Sequence, residues 1–138
     1  MRANLAAVHV IRLDTGDEVI STLSSRLREL GVKGAAIMGI GGVSRARVGV
    51  FDPSAGRYRE REVEGFHEVV SLMGNVSVRE DGSTFLHLHV SLASESGTLA
   101  GHLLEAVVEP TLEVFVFSLD SEVKRTLKTP YGFVALDV

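Results

Sequence analysis

The chain carries five histidines and no cysteine, and three of those histidines fall in a pattern suited to binding a metal ion. Phe85-Leu86-His87-Leu88-His89-Val90 alternates with a period of two, which predicts a strand. Residues two apart on a strand project from one face, so His87 and His89 point together, with Phe85 in line. Imidazole is a common ligand of zinc-like ions. His102 follows thirteen residues after His89, beyond a glycine-containing connection, Glu95-Ser96-Gly97-Thr98, so the fold could return it to the pair. Three imidazoles with a fourth position open form a catalytic or exchangeable site rather than a closed structural one. The same pair also suits partly buried histidines bonded to neighbours, or an exposed strand face. The residues by themselves leave these readings open.

A water on such a metal would have a lowered pKa, and hydrolytic chemistry would also need a general base. Glu68 and Glu113 are the candidates, because each lies in an otherwise apolar strand and a buried carboxylate needs a reason. The competing reading makes both structural, each paired with an arginine or a backbone amide at a subunit interface. His9 and His67 read as non-functional, and Ser71, Ser91 and Ser94 have no nucleophile-elbow context. Gly39-Ile40-Gly41-Gly42 is no phosphate loop, since no Gly-Lys-Ser/Thr follows and no helix begins there. Those glycines suit a tight turn or close backbone packing.

The elements that must position these groups read as a single α+β domain over residues 1–138. At 45% hydrophobic and 23% charged, the 138 residues can build one core. Ala6 to Leu13 reads as a first strand. Asp14-Thr15-Gly16-Asp17-Glu18 opens the main helix, about residues 16–30, with an apolar stripe of Val19, Ile20, Leu23, Leu27 and Leu30 and a stop at Gly31. Further strands are expected over Gly34–Ile40, Arg45–Phe51, Arg57–Val63, Glu68–Val78, Thr84–Ala93, Thr111–Leu119 and Tyr131–Leu136. Arg57–Val63 is charged enough for an edge, and Gly74 suggests a bulge. Gly101–Val108 reads as either helix or strand and is broken by Pro110, while Asp120–Leu127 reads as a turn and surface segment. The sum is a largely antiparallel sheet of about seven strands with one main helix and short extra helical segments.

The net charge of −4, with Lys and Arg scattered among acids, argues against a nucleic-acid binder. No apolar run is long enough to span a bilayer, and no signal peptide is recognised. The expected setting is cytoplasmic, without a membrane partner.

In this order the whole chain resembles the PPC domain, the "plants and prokaryotes conserved" family. The resemblance rests on Gly31-Val32-Lys33-Gly34-Ala35-Ala36-Ile37 leading to Gly39-Ile40-Gly41, and on Phe66-His67-Glu68-Val69-Val70-Ser71-Leu72-Met73-Gly74-Asn75. It continues through His87-Leu88-His89-Val90-Ser91-Leu92, Gly101-His102-Leu103 and Glu113-Val114. The resemblance implies a homotrimer, and a divalent metal, zinc first among the choices, on His87, His89 and His102. Plant relatives add an Arg-Gly-Arg-Pro peptide that reads the minor groove of DNA. Here Arg45-Ala46-Arg47 lacks both the glycine and the proline, so the DNA-binding label does not transfer. Plant members also carry Gly-Arg-Phe-Glu where this chain has Gly65-Phe66-His67-Glu68, so any partner contact through that arginine is lost. Three readings of function follow. The first is a trimeric metal-binding module for a small molecule or protein. The others are a metal-assisted hydrolase or lyase on a small polar substrate, and a DNA-binding protein.

Overall fold

A computed structural model describes residues 1–138. In chain order the elements are β1 (Leu5–Asp14), α1 (Val19–Glu29), β2 (Ala35–Asp52), β3 (Arg57–Arg79), β4 (Thr84–Ser94), β5 (Gly97–Leu119), β6 (Lys124–Lys128) and β7 (Val134–Leu136). A 3-10 turn at Pro130–Gly132 precedes β7. The α+β class with a mostly antiparallel sheet and one helix is as expected. No helix is long and apolar enough to cross a membrane.

Three strands are much longer than the local punctuation suggests. Gly39–Gly42 does not turn the chain, because β2 runs through it for 18 residues, with register shifts against β3 at Gly39/Gly41 and Val43/Arg45. A Cβ on Gly41 or Gly42 would lie 2.2 Å from the carbonyl oxygen of Thr111 or Glu109 on β5. Glycine is needed there for backbone approach, not for a hairpin. Arg57–Val63 and Glu68–Val78 are likewise parts of one 23-residue β3. Gly101–Val108 is strand, and Pro110 does not end it. Pro110 lies where the β2–β5 register slips between Val43/Val108 and Gly41/Leu112, a break in the ladder that can accept a residue without an N–H. The segment expected as surface turn contributes β6, and Tyr131–Leu136 shortens to β7 behind the 3-10 turn.

The strand order is β1-β5-β2-β3-β6-β7, with β4 bonded to both β3 and β5. Consequently β2, β3, β4 and β5 close on one another. β5 gives Gly97–His102 to β4 and then continues along β2 to Ser118, with β1 on its other edge from Thr111 onward. The one parallel pairing joins Val78 and Arg79 of β3 to Lys124 and Arg125 of β6.

The helix begins at Val19, later than Gly16, because Glu18 rather than Asp14 or Thr15 caps it. The Glu18 carboxylate accepts from the backbone N–H groups of Ile20 and Ser21. Val19, Leu23 and Leu27 are buried, while Leu30, expected in the stripe, is 48% exposed at the helix end. The buried face joins a 23-residue core that includes Leu13, Ile37, Leu72, Leu88, Leu112 and Val116.

Gly74 makes no bulge: it stays in register between Ile37 and Leu88. A Cβ there would lie 1.9 Å from the carbonyl oxygen of His87, so the β4 backbone must retreat if it is added. Gly74→Ala is expected to cost on the order of 3 kcal/mol. Gly56→Ala, with φ +64° and open space around it, should cost about 1 kcal/mol. Urea midpoints of the two variants check the ranking.

Candidate metal centre

The closed arrangement of strands brings the three histidines together. His89 pairs across the ladder with His102, whose other neighbour is Gly49 of β2. His87, two residues from His89 on β4, lies on the same face. The ring centroids of His87–His89 and His87–His102 are 5.1 Å apart, and those of His89–His102 are 5.5 Å apart. One ring nitrogen from each lies within 4.8 Å of the others, a group compact enough to share one ion.

The surroundings disfavour the protonated form of two of the rings. Burial, then the neighbouring His102, Arg125 and His89, pushes His87 down from the ordinary 6.5 to about 4. Burial and His89 push His102 down as well. The Nδ1 of His102 is buried without a hydrogen-bond partner. Such an orphaned nitrogen is costly unless something outside the chain meets it. Neutral imidazoles with a free lone pair are the form that ligates metals.

The rings open into a cavity of about 780 Å³. Its apolar wall is an aromatic group joining the β2–β3 hairpin to the chain end: Phe51 and Phe133 centroids are 4.7 Å apart, and Tyr58 stands 5.3 Å from His102. Phe85 lies under the guanidiniums of Arg79 and Arg125, at 4.2 and 5.1 Å. Arg125 is buried and bonded to Ser77, Asn75 and Val134. Sequence reasoning missed Tyr58, Arg79 and Arg125. The one available signal was the alternation Val123, Arg125, Leu127 in a segment read as surface.

Glu68 and Glu113 are not brought to the histidines. Both are exposed rather than buried, and they line a separate depression with Ile40 and Val70. His9 stands by the Ser118 hydroxyl, and His67 Nδ1 is 2.9 Å from the Gly65 carbonyl. Neither lines the cavity, and nor do Ser71, Ser91 and Ser94.

The fold and site together define a class: a small α+β protein whose closed strands hold a tri-histidine pocket beneath an aromatic wall. Within that class, the chain belongs to the Plants and Prokaryotes Conserved (PCC, also written PPC) domain family, whose model matches residues 2–120. It is similar to a plant- and prokaryote-conserved protein from Pyrococcus horikoshii, at 30% identity and a TM-score of 0.90, over 99% of this chain and 95% of that one. It is equally similar to a metal-containing protein from Archaeoglobus fulgidus, at 30% identity and a TM-score of 0.91, over 99% and 97% of the two chains. An acetolactate decarboxylase from Bacillus subtilis shares the fold alone, at 14% identity and a TM-score of 0.57, over 94% of this chain and 59% of that one. No curated protein matches in sequence.

The lowered His87 has a consequence for metal-free protein. Below pH 6.5 the unfolded chain takes up a proton that folded His87 refuses until about pH 4, so stability falls as pH falls across that window. Thermal melts in EDTA should show Tm dropping between pH 6.5 and 4, with a shallower drop in His87→Gln. Equal slopes in both proteins would contradict the assignment.

Proposed function

We propose that this chain is a cytoplasmic homotrimer that binds a divalent metal, zinc first among the choices, on His87, His89 and His102. In this reading it acts as a binding module for a small molecule or protein partner. The observation that carries it is the orphaned, buried Nδ1 of His102 beside two further imidazoles. The metal-containing Archaeoglobus fulgidus relative supports it. A cation held there supplies Lewis acidity at its open positions. The chain's own residues hold that position, wall it with Tyr58, Phe85 and Phe133, and present it to the cavity.

Binding is favoured over hydrolase or lyase chemistry because the two carboxylates expected as general bases, Glu68 and Glu113, line a different depression from the histidines. Of the two acids lining the cavity, Asp81 is tied to the Ser83 backbone and hydroxyl, and Glu80 lies exposed at the turn. Glu68 and Glu113 serve in this reading as interface groups. DNA binding is disfavoured because Arg45 and Arg47 are already engaged by Glu105 and Glu60.

Assembly is supported by a bare apolar row. Val10, Phe115, Met38 and Met73 pair across four neighbouring strands, and they are 68, 41, 51 and 61% exposed. A contiguous apolar patch of this kind marks an interaction surface.

Elemental analysis of purified protein should find one divalent ion per chain, lost in His87→Ala and in His102→Ala. Unchanged metal content in both variants would refute the site. Light scattering should give a trimer for the parent protein and a smaller species for Met73→Glu. A monomeric parent would refute the assembly.

A further inference from the structure

Arg125 is 8% exposed and no carboxylate pairs with it. Its Nε donates to the Ser77 hydroxyl, Nη1 to the Val134 carbonyl and Nη2 to the Asn75 side-chain oxygen, each at 2.9 Å. All three acceptors are neutral. A guanidinium has five N–H groups and stays charged in proteins, so one N–H on each terminal nitrogen is uncommitted. Beside it stands a second cation, since Arg79 is its register partner; the Arg79 charge reaches the Asp81 carboxylate without closing a salt bridge to it. Lys128 lines the same cavity.

The three bonds of Arg125 account for a structural duty: they tie β6 and β7 to β3. They do not account for the charge. A neutral side chain could make such ties, while a buried unpaired cation is strongly unfavourable. Of the two acids in the same lining, Asp81 is occupied by Ser83 and Glu80 is exposed and forms no ion pair with Arg125, so the uncommitted N–H groups are open to an anion from outside the chain. The lining also carries an aromatic wall of Phe51, Tyr58 and Phe133, with Phe85 beneath the two guanidiniums.

We propose that the cavity binds a small organic carboxylate with an apolar body. The carboxylate sits on the uncommitted N–H groups of Arg125, with Arg79 contributing charge, and the body lies along the aromatic wall beside the histidines. A planar guanidinium matches a carboxylate with two parallel hydrogen bonds. This inference rests on the binding-module reading and names its ligand class, and it uses residues other than the three histidines.

The test is calorimetric titration of the purified, metal-replete trimer, and of the same protein after EDTA treatment. The probes are benzoate, 3-methylbutanoate, neutral benzamide and inorganic phosphate. At least one of the two carboxylates should bind to both preparations, with benzamide and phosphate each at least about tenfold weaker, the scale of one charge-assisted hydrogen bond. Arg125→Gln should lose about tenfold or more in carboxylate affinity. Arg79→Gln, which leaves the ties to β6 and β7 intact, should lose several-fold, so the test survives if Arg125→Gln fails to fold. Absence of carboxylate binding, benzamide binding as well as benzoate, or phosphate outcompeting both would overturn the inference. Failure of the metal reading is separate, since it appears in elemental analysis and leaves the carboxylate titration of EDTA-treated protein intact.

Discussion

At His102 the β5 backbone is bonded on both edges, to His89 of β4 and to Gly49 of β2. This double pairing closes β2, β3, β4 and β5 on one another, and the site depends on it. An open sheet would leave β4 and β5 free to slip, and a slip of one residue sends every side chain to the opposite face. With both edges committed, the register that faces His89 with His102 cannot shift without breaking two ladders. The close packing this needs explains the local glycines. Gly74 lets the β4 carbonyl of His87 come within a distance that no Cβ would permit, and Gly101 stands against the Gly49 carbonyl in the same way.

The electrostatics of the pocket follow from that closure. Drawing two rings partly out of water and setting them beside a third disfavours their protonated forms, and Arg125 adds to the effect on His87. Three imidazoles alone would tolerate solvent or a cation. The arginines change what else can enter. Arg79 and Arg125 flank the Phe85 ring, so the cavity sets two guanidiniums beside an aromatic wall. That pairing suits a ligand with an anionic head and an apolar body, and it disfavours cationic or uniformly polar molecules.

The His-x-His strand was legible because a period of two is a local property, and His102 because a Gly-His motif marked it. The extent of the strands was not. Glycines and prolines act locally as punctuation, but partners on both sides carry the chain through Gly39–Gly42, and a slip in the β2–β5 register accommodates Pro110. Arg125 was illegible for the opposite reason. Its burial comes from Ser77 and Asn75, about fifty residues earlier, and no spacing in a short charged segment reports such ties. Glu18 was visible only as one of several acids near a helix start. Its role as the cap emerges from the two amides it faces.

Glu68 and Glu113 are the more instructive miss. Each stands beside apolar neighbours, Val69 and Val70 or Val114 and Phe115, and a carboxylate in that setting reads as buried. In the single chain only one face is covered, by α1 and the core. The other face carries Val10, Phe115, Met38 and Met73, and by register this row runs on directly into His89 and His102. Apolarity on both faces of a strand therefore reports either a second layer of the same chain or a second copy. Since this chain offers no second layer over β2 and β3, the trimeric reading is the one that uses the pattern. In that reading the surface that assembles the protein and the surface that holds the imidazoles are one continuous sheet face. A neighbouring copy seated on Met73 would then limit the freedom of His89 without having to touch the cavity wall, because the two residues are direct partners across the ladder.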